Sequence, residues 1–195
     1  MDTKQARLAR TKLVTNYQQD IIIGSLLGDG HLVRTTRGFA FRVNHGIRQM
    51  AYVNWKYQAL IGLTNSPPRT YQRSYYFRTV SHSYFDTLRR VFYSGRKKIL
   101  PVEIGQWMTP LVFSVWLMDD GARDKGQVRL NTQSFSRREN QRLRSVLEAS
   151  FGGIITTLNR DKDRFRLRVA AISMPRVRQV VAPFILPSMQ YKLSP

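Results

Sequence analysis

Two acidic residues stand where acidic residues are scarce. Asp29 lies between Gly28 and Gly30 at the end of the run QDIIIGSLLGDGH, and Asp120 precedes Gly121 in PLVFSVWLMDDGARD. A carboxylate at a helix C-terminus meets the negative end of the helix dipole, at a cost of ~0.3–1 kcal/mol. Two such carboxylates brought together would also drive one pKa upward. A hard divalent cation such as Mg²⁺ relieves both problems, because it prefers carboxylate, carbonyl, water and phosphate oxygens. A lone Asp-Gly is an ordinary helix stop or turn. The same pair recurring at an offset of 91 residues, in a strongly basic chain, points instead to metal held against a phosphate.

The chain has 195 residues, with 32 Lys and Arg against 12 Asp and Glu, a formal charge of +20. A folded protein carries self-repulsion at such a charge, and a polyanion relieves it. Nucleic acid is the leading partner and an anionic membrane surface the second. No apolar run approaches the ~20 residues of a spanning helix, so no membrane partner is expected. There are no cysteines, which excludes disulfides, zinc knuckles and thiol chemistry. His31, His45 and His82 fall at no zinc-binding spacing. The basic stretch 1–14 lacks an apolar signal core, so secretion is not expected.

The elements that must position the acids are written twice. The first motif predicts a helix over 20–28, the second over 111–119. Gly24, Ser25 and Gly28 form a small-residue stripe that would admit a second helix, the natural mate being the other motif helix. Strand-like alternation follows in FAFRVNHG and QVRLNTQS, then helical patterns near 48–62 and 137–150. Ser136 and Glu139 read as a capping box. The strand-like segments YQRSYYFRTV and DRFRLRVA come next, then helices near 82–93 and 174–182. Each half closes on a lysine three residues before a proline, KILP at Lys98 and KLSP at Lys192. Residues 101–109 form a linker, with Thr109 as N-cap and Pro110 at the first helical position. The organisation expected is an N-terminal half over 1–100, including the extension 1–14, and a C-terminal half over 110–195.

The segments IIGSLLGDG and FSVWLMDDG resemble the two copies of the signature of LAGLIDADG homing endonucleases, in their single-chain, double-motif branch. The wider match includes MDDG, LNTQSF and MQYKLSP and spans nearly the whole chain. The resemblance implies an α+β fold: two pseudo-symmetric αββαββα halves packed through their motif helices, with antiparallel sheets forming a DNA-binding saddle. It implies a monomeric, site-specific endonuclease that makes double-strand breaks in a long, non-palindromic DNA target by metal-dependent hydrolysis. Asp29 and Asp120 would then be the metal-binding acids, sharing two or three Mg²⁺ ions, with Mn²⁺ able to substitute. The carbonyls of Gly28 and Asp119 would help ligate metal, and Lys98 and Lys192 would stand near the scissile phosphates. An intron RNA maturase and a non-catalytic DNA-binding protein on the same scaffold are the alternatives. The compartment would follow the host genome: intracellular, with a mitochondrion or chloroplast as candidates.

Arg, Gln and Asn on the wet faces of strands suit major-groove readout. The candidates are Arg42, Asn44, Arg78, Arg129, Gln133, Arg164, Arg166 and Arg168. Arg34, Arg37, Arg69, Arg73, Arg123, Lys125, Arg160 and Lys162 fall at strand ends or loops, where phosphate contacts are as reasonable. Phe39, Phe41, Tyr75, Tyr76 and Phe77 read as core rather than base-stacking platforms.

Overall fold

The computed structural model describes residues 3–193. Ser194 and Pro195, which complete KLSP, lie outside the described residues. The chain divides into two compact units, Met1–Arg90 and Val91–Pro195. The division falls within a helix, ahead of the segment 101–109.

The first unit opens with α1 (Lys4–Thr11), capped by the Thr3 hydroxyl, which accepts from Ala6 N at 3.1 Å. Ala6 and Ala9 bury against Val80. The first motif helix, α2 (Asn16–Leu27), is capped reciprocally by Thr15 and Gln18. Every residue from Ile21 to Leu27 is buried, as befits a helix apolar on all sides. Strands β1 (His31–Thr35) and β2 (Gly38–Gly46) form a hairpin, followed by α3 (Met50–Ala59). Then come β3 (Arg69–Tyr71), β4 (Ser74–Arg78) and α4 (Ser83–Phe92). The antiparallel sheet runs β1-β2-β4-β3. Phe41, Val43 and Phe77 point into the core, beside Tyr52 and Val53 of α3. Arg42 and Asn44 alternate to the wetter face, as period 2 dictates.

The second unit begins with the short hairpin β5 (Tyr93–Ser94) and β6 (Lys97–Lys98), and the one-turn α5 (Ile104–Trp107). The second motif helix is α6 (Pro110–Asp120), with the Thr109 hydroxyl accepting from Val112 N at 3.1 Å and Pro110 at its first position. Strands β7 (Gly121–Asp124) and β8 (Gln127–Leu130) lead to α7 (Arg137–Phe151), whose Ser136–Glu139 capping box is present. Strands β9 (Thr156–Asp161) and β10 (Arg164–Val169) and helix α8 (Met174–Val181) complete it. The sheet order, β7-β8-β10-β9, repeats that of the first unit. Val128, Leu130, Leu167 and Val169 form its buried face, with Leu143 and Leu147 of α7 in the same core. The register also repeats: Arg42 faces Arg78 across the first sheet, and Arg129 faces Arg168 across the second.

Among the described residues, no helix is long and apolar enough to cross a membrane. The basic extension, to which the sequence pattern assigns no element, contains a helix, α1, held by its alanines against Val80. One sequence expectation needs correction. Phe39, Tyr75 and Tyr76 are only half-buried: Tyr76 lies on the wetter face beneath Arg42, while Phe39 and Tyr75 share the face of Phe41 and Phe77, where Arg34 and Arg89 stand over Phe39 and the Tyr75 hydroxyl donates to Asn54.

Candidate active site and nucleic-acid interface

Each motif helix ends at or just before its acid, and the glycine after each acid makes that ending possible. In the first unit the Ser25 carbonyl accepts from Gly28 N at 3.0 Å and Gly30 N at 2.7 Å. A Cβ on Gly30 would lie 2.8 Å from that carbonyl oxygen and 2.9 Å from the Phe41 ring. In the second unit a Cβ on Gly121 would come 2.4 Å from the Leu117 carbonyl oxygen. Only glycine lets the chain turn so tightly against the helix end. The motifs differ by two residues: α2 stops at Leu27, leaving Asp29 in the turn, whereas α6 runs through Asp120.

The Asp29 side chain is half exposed, and His45 Nδ1 lies 3.6 Å from its Oδ2. His45 itself is buried at the end of β2. Composition gave no reason to single it out; only the strand's return beside the helix end brings it there. Asp120 is half-buried and its carbonyl accepts from Asn131 N at 3.1 Å. Asp119 is buried. Lys192 is 6% exposed, and its ammonium donates to the carbonyl oxygens of Met118 and, at 2.9 Å, Asp119. Lys192 thus caps the last turn of α6, placing a cation at the dipole's negative end. It also occupies one side of the Asp119 carbonyl that the resemblance assigns to metal.

Lys98 lies half-buried on β6, paired with Tyr93. The segment just beyond it is clamped by α7. Glu139 accepts from Leu100 N at 2.7 Å and from Ser136 N at 2.7 Å, while Arg142 donates to the carbonyls of Leu100 and Pro101. Burial pushes the Glu139 carboxyl up, but the Ser136 hydroxyl, those two backbone N–H groups and the Lys97 charge together hold it below the usual value.

Within each unit the motif end offers oxygen donors of the kind a hard divalent cation prefers: the Asp29 carboxylate and Gly28 carbonyl in the first, and the carboxylates and carbonyls of Asp119 and Asp120 in the second.

The arginine candidates distribute over both sheets. Arg34, Asn44, Arg69 and Arg78 are exposed on the first, with Arg37 and Arg73 at its hairpin turns. Arg42 lies over the Tyr76 ring, 4.8 Å from the centroid. On the second sheet Arg123, Arg160 and Arg164 are exposed, and Lys125 and Lys162 form the hairpin tips with φ of 50° and 57°. Arg129, Arg166 and Arg168 are half-buried and ion-paired with Asp124 and Asp161, two acids that sequence reasoning passed over. Gln133 donates to Asp161 at 3.2 Å. That hydrogen bond first, then Arg166 and Lys162, hold the Asp161 carboxyl below its ordinary range.

The architecture has solved counterparts. The homing endonuclease I-WcaI bound to its DNA recognition sequence superposes with a TM-score of 0.90 at 23% identity, over 99% of this chain and 93% of that one. I-DmoI in complex with DNA and Mn gives a TM-score of 0.60 at 11% identity, over 88% of this chain and 99% of its own. These likenesses define the fold as that of the homing endonucleases, two repeated α+β halves. Residues 19–177 match the LAGLIDADG DNA endonuclease family, and the chain belongs to that family. The protein RecA of Mycolicibacterium flavescens is 30% identical over 93% of this chain and 47% of its own length. The cytochrome b mRNA maturase bI2 of Saccharomyces cerevisiae is 30% identical over 89% of this chain and 46% of its own. The chain spans about half the length of the curated relatives it matches.

Proposed function

We propose that this chain is a site-specific DNA endonuclease that hydrolyses both strands of a long, non-palindromic duplex. The observation that carries the reading is the repeated motif end, an acid delivered at a helix terminus by a glycine that tolerates no Cβ. The two halves, residues 1–100 and 110–195 joined by 101–109, each contribute one acid, so a monomer suffices. Asp29 and Asp120 hold Mg²⁺, or Mn²⁺ in its place, with help from the carbonyls of Gly28 and Asp119. When bound, the cation lowers the pKa of water and stabilises charge on the phosphate. Lys98 supplies a positive charge for the phosphoryl oxygens in the transition state. Lys192 holds the α6 terminus in register, and its ammonium contributes to the same positive field. The arginines of both sheets bind the duplex, phosphates for affinity and base edges for choice.

Incubation with a randomised duplex library and Mg²⁺ should yield cut products sharing one long sequence. Asp29→Asn and Asp120→Asn should each lower cleavage at least ~100-fold, with duplex binding in Ca²⁺ retained. Normal cutting by either variant overturns the assignment of its acid, and no cutting with any divalent ion overturns the nuclease reading. The likeness to maturase bI2 favours a second reading, a partner role with intron RNA, and supports an intracellular setting in the organelle whose genome carries the gene. Splicing of a host intron that survives Asp29→Asn would establish it.

A further inference from the structure

The two sheets are armed differently. On the second, Arg129 and Arg168 face each other across strands β8 and β10, a like-charged pair that repels. Asp124 Oδ2 bridges them, at 3.5 Å from Arg129 and 3.1 Å from Arg168. Beside them Asp161 Oδ2 takes Arg166 at 2.5 Å and Gln133 at 3.2 Å. The two acids and three arginines line a cleft of about 320 Å³. The equivalent pair on the first sheet is Arg42 and Arg78, and among the described residues no acid bridges it. No Asp or Glu occurs between Asp29 and Asp86 in the sequence, and Arg42 rests on Tyr76 instead.

A carboxylate beside an arginine does two things at a DNA surface. It fixes the guanidinium fork in one direction, leaving its remaining donors for a planar acceptor pair such as the guanine O6 and N7 edge. It also repels phosphate oxygens, so the fork is withheld from the backbone. An arginine without that constraint follows whichever phosphate is nearest.

Resting on the DNA-binding reading above, we propose that Asp124 and Asp161 make the second sheet the selective reader of the target. They hold Arg129, Arg166 and Arg168 as fixed forks for guanine edges, while the acid-free first sheet supplies mainly phosphate affinity. The half-site under the second unit then carries the sharper base preferences, guanines among them.

The test uses the full chain with Ca²⁺ and a randomised duplex library, followed by competition between the selected duplex and a scrambled one. Asp124→Asn and Asp161→Asn should each lower the ratio of selected to scrambled affinity about tenfold or more. Binding to the scrambled duplex should tighten, its salt dependence should steepen, and lost preferences should cluster in one half of the site. Arg129→Lys keeps the charge and loses the fork, so it should lose discrimination with the salt slope unchanged. A ratio that Asp124→Asn and Asp161→Asn leave intact, or preferences lost equally in both halves, overturns the inference while the DNA-reading function stands. Failure of the unmutated chain to select any sequence overturns both.

Discussion

Lys192→Met separates two roles that one lysine could play. In the structure the ammonium is buried and donates to two carbonyls at the end of α6, Met118 and Asp119. Methionine fills a similar volume and leaves both acceptors unsatisfied, at ~1–3 kcal/mol each. Loss of a cation from the helix C-terminus adds ~0.3–2 kcal/mol. Against this, the variant no longer desolvates an ammonium, which returns part of the loss. The net destabilisation worked from these terms is ~2–4 kcal/mol. For a unit of this size that lowers its melting temperature by roughly 8–20 °C. Urea and thermal unfolding followed by circular dichroism measure it directly, with cleavage assayed in parallel on the folded variant. If stability falls by less than ~0.5 kcal/mol while cleavage collapses, the ammonium faces the substrate phosphate and not the helix end, and the reasoning is refuted.

Further expectations follow from the same contacts. Gly30→Ala sets a Cβ 2.8 Å from the Ser25 carbonyl oxygen and 2.9 Å from Phe41. It should cost ~1–3 kcal/mol and displace Asp29, seen as weakened cleavage that a Gly46→Ala control, in open space, does not show. Glu139→Gln should destabilise the second unit by about 1 kcal/mol near neutral pH, since the group is largely solvent-screened. Because the folded carboxyl lies below its unfolded value of ~4.3, this contribution is full above that pH and lost as pH falls through the folded value. Acid titrations of the two proteins should therefore converge at low pH, and a constant gap down to pH 2 would contradict the assignment.

Much of the fold was legible because its signals are local. Thr109 with Pro110, and Ser136 with Glu139, satisfy helix-end N–H groups within three residues of themselves, so the caps appear in the structure where the sequence puts them. Alternation in RFRLRV suffices to turn Leu167 and Val169 inward. Helix α1 has the same kind of cap at Thr3, but its eight residues are too few to set a clear period. A helix that short is marginal alone and exists here because Ala6 and Ala9 bury against Val80. The strands β3 and β9 are edges with little buried surface, so they left only faint patterns.

The sequence by itself determined the repeat, the two Asp-Gly motif ends and the strongly positive charge. These are properties of residue type and spacing, and the family assignment agrees with them. Tertiary structure alone decided the partners. One lysine among 32 basic residues became a helix cap, because the chain's last helical turn delivers Lys192 to α6 across more than 70 residues. His45 met Asp29 because β2 returns to the helix end. Asp124 and Asp161 became arginine braces because strand register set Arg129 against Arg168 and laid Arg166 beside Asp161. A charge's neighbours through space are fixed by packing and register, and neither is written in its neighbours along the chain.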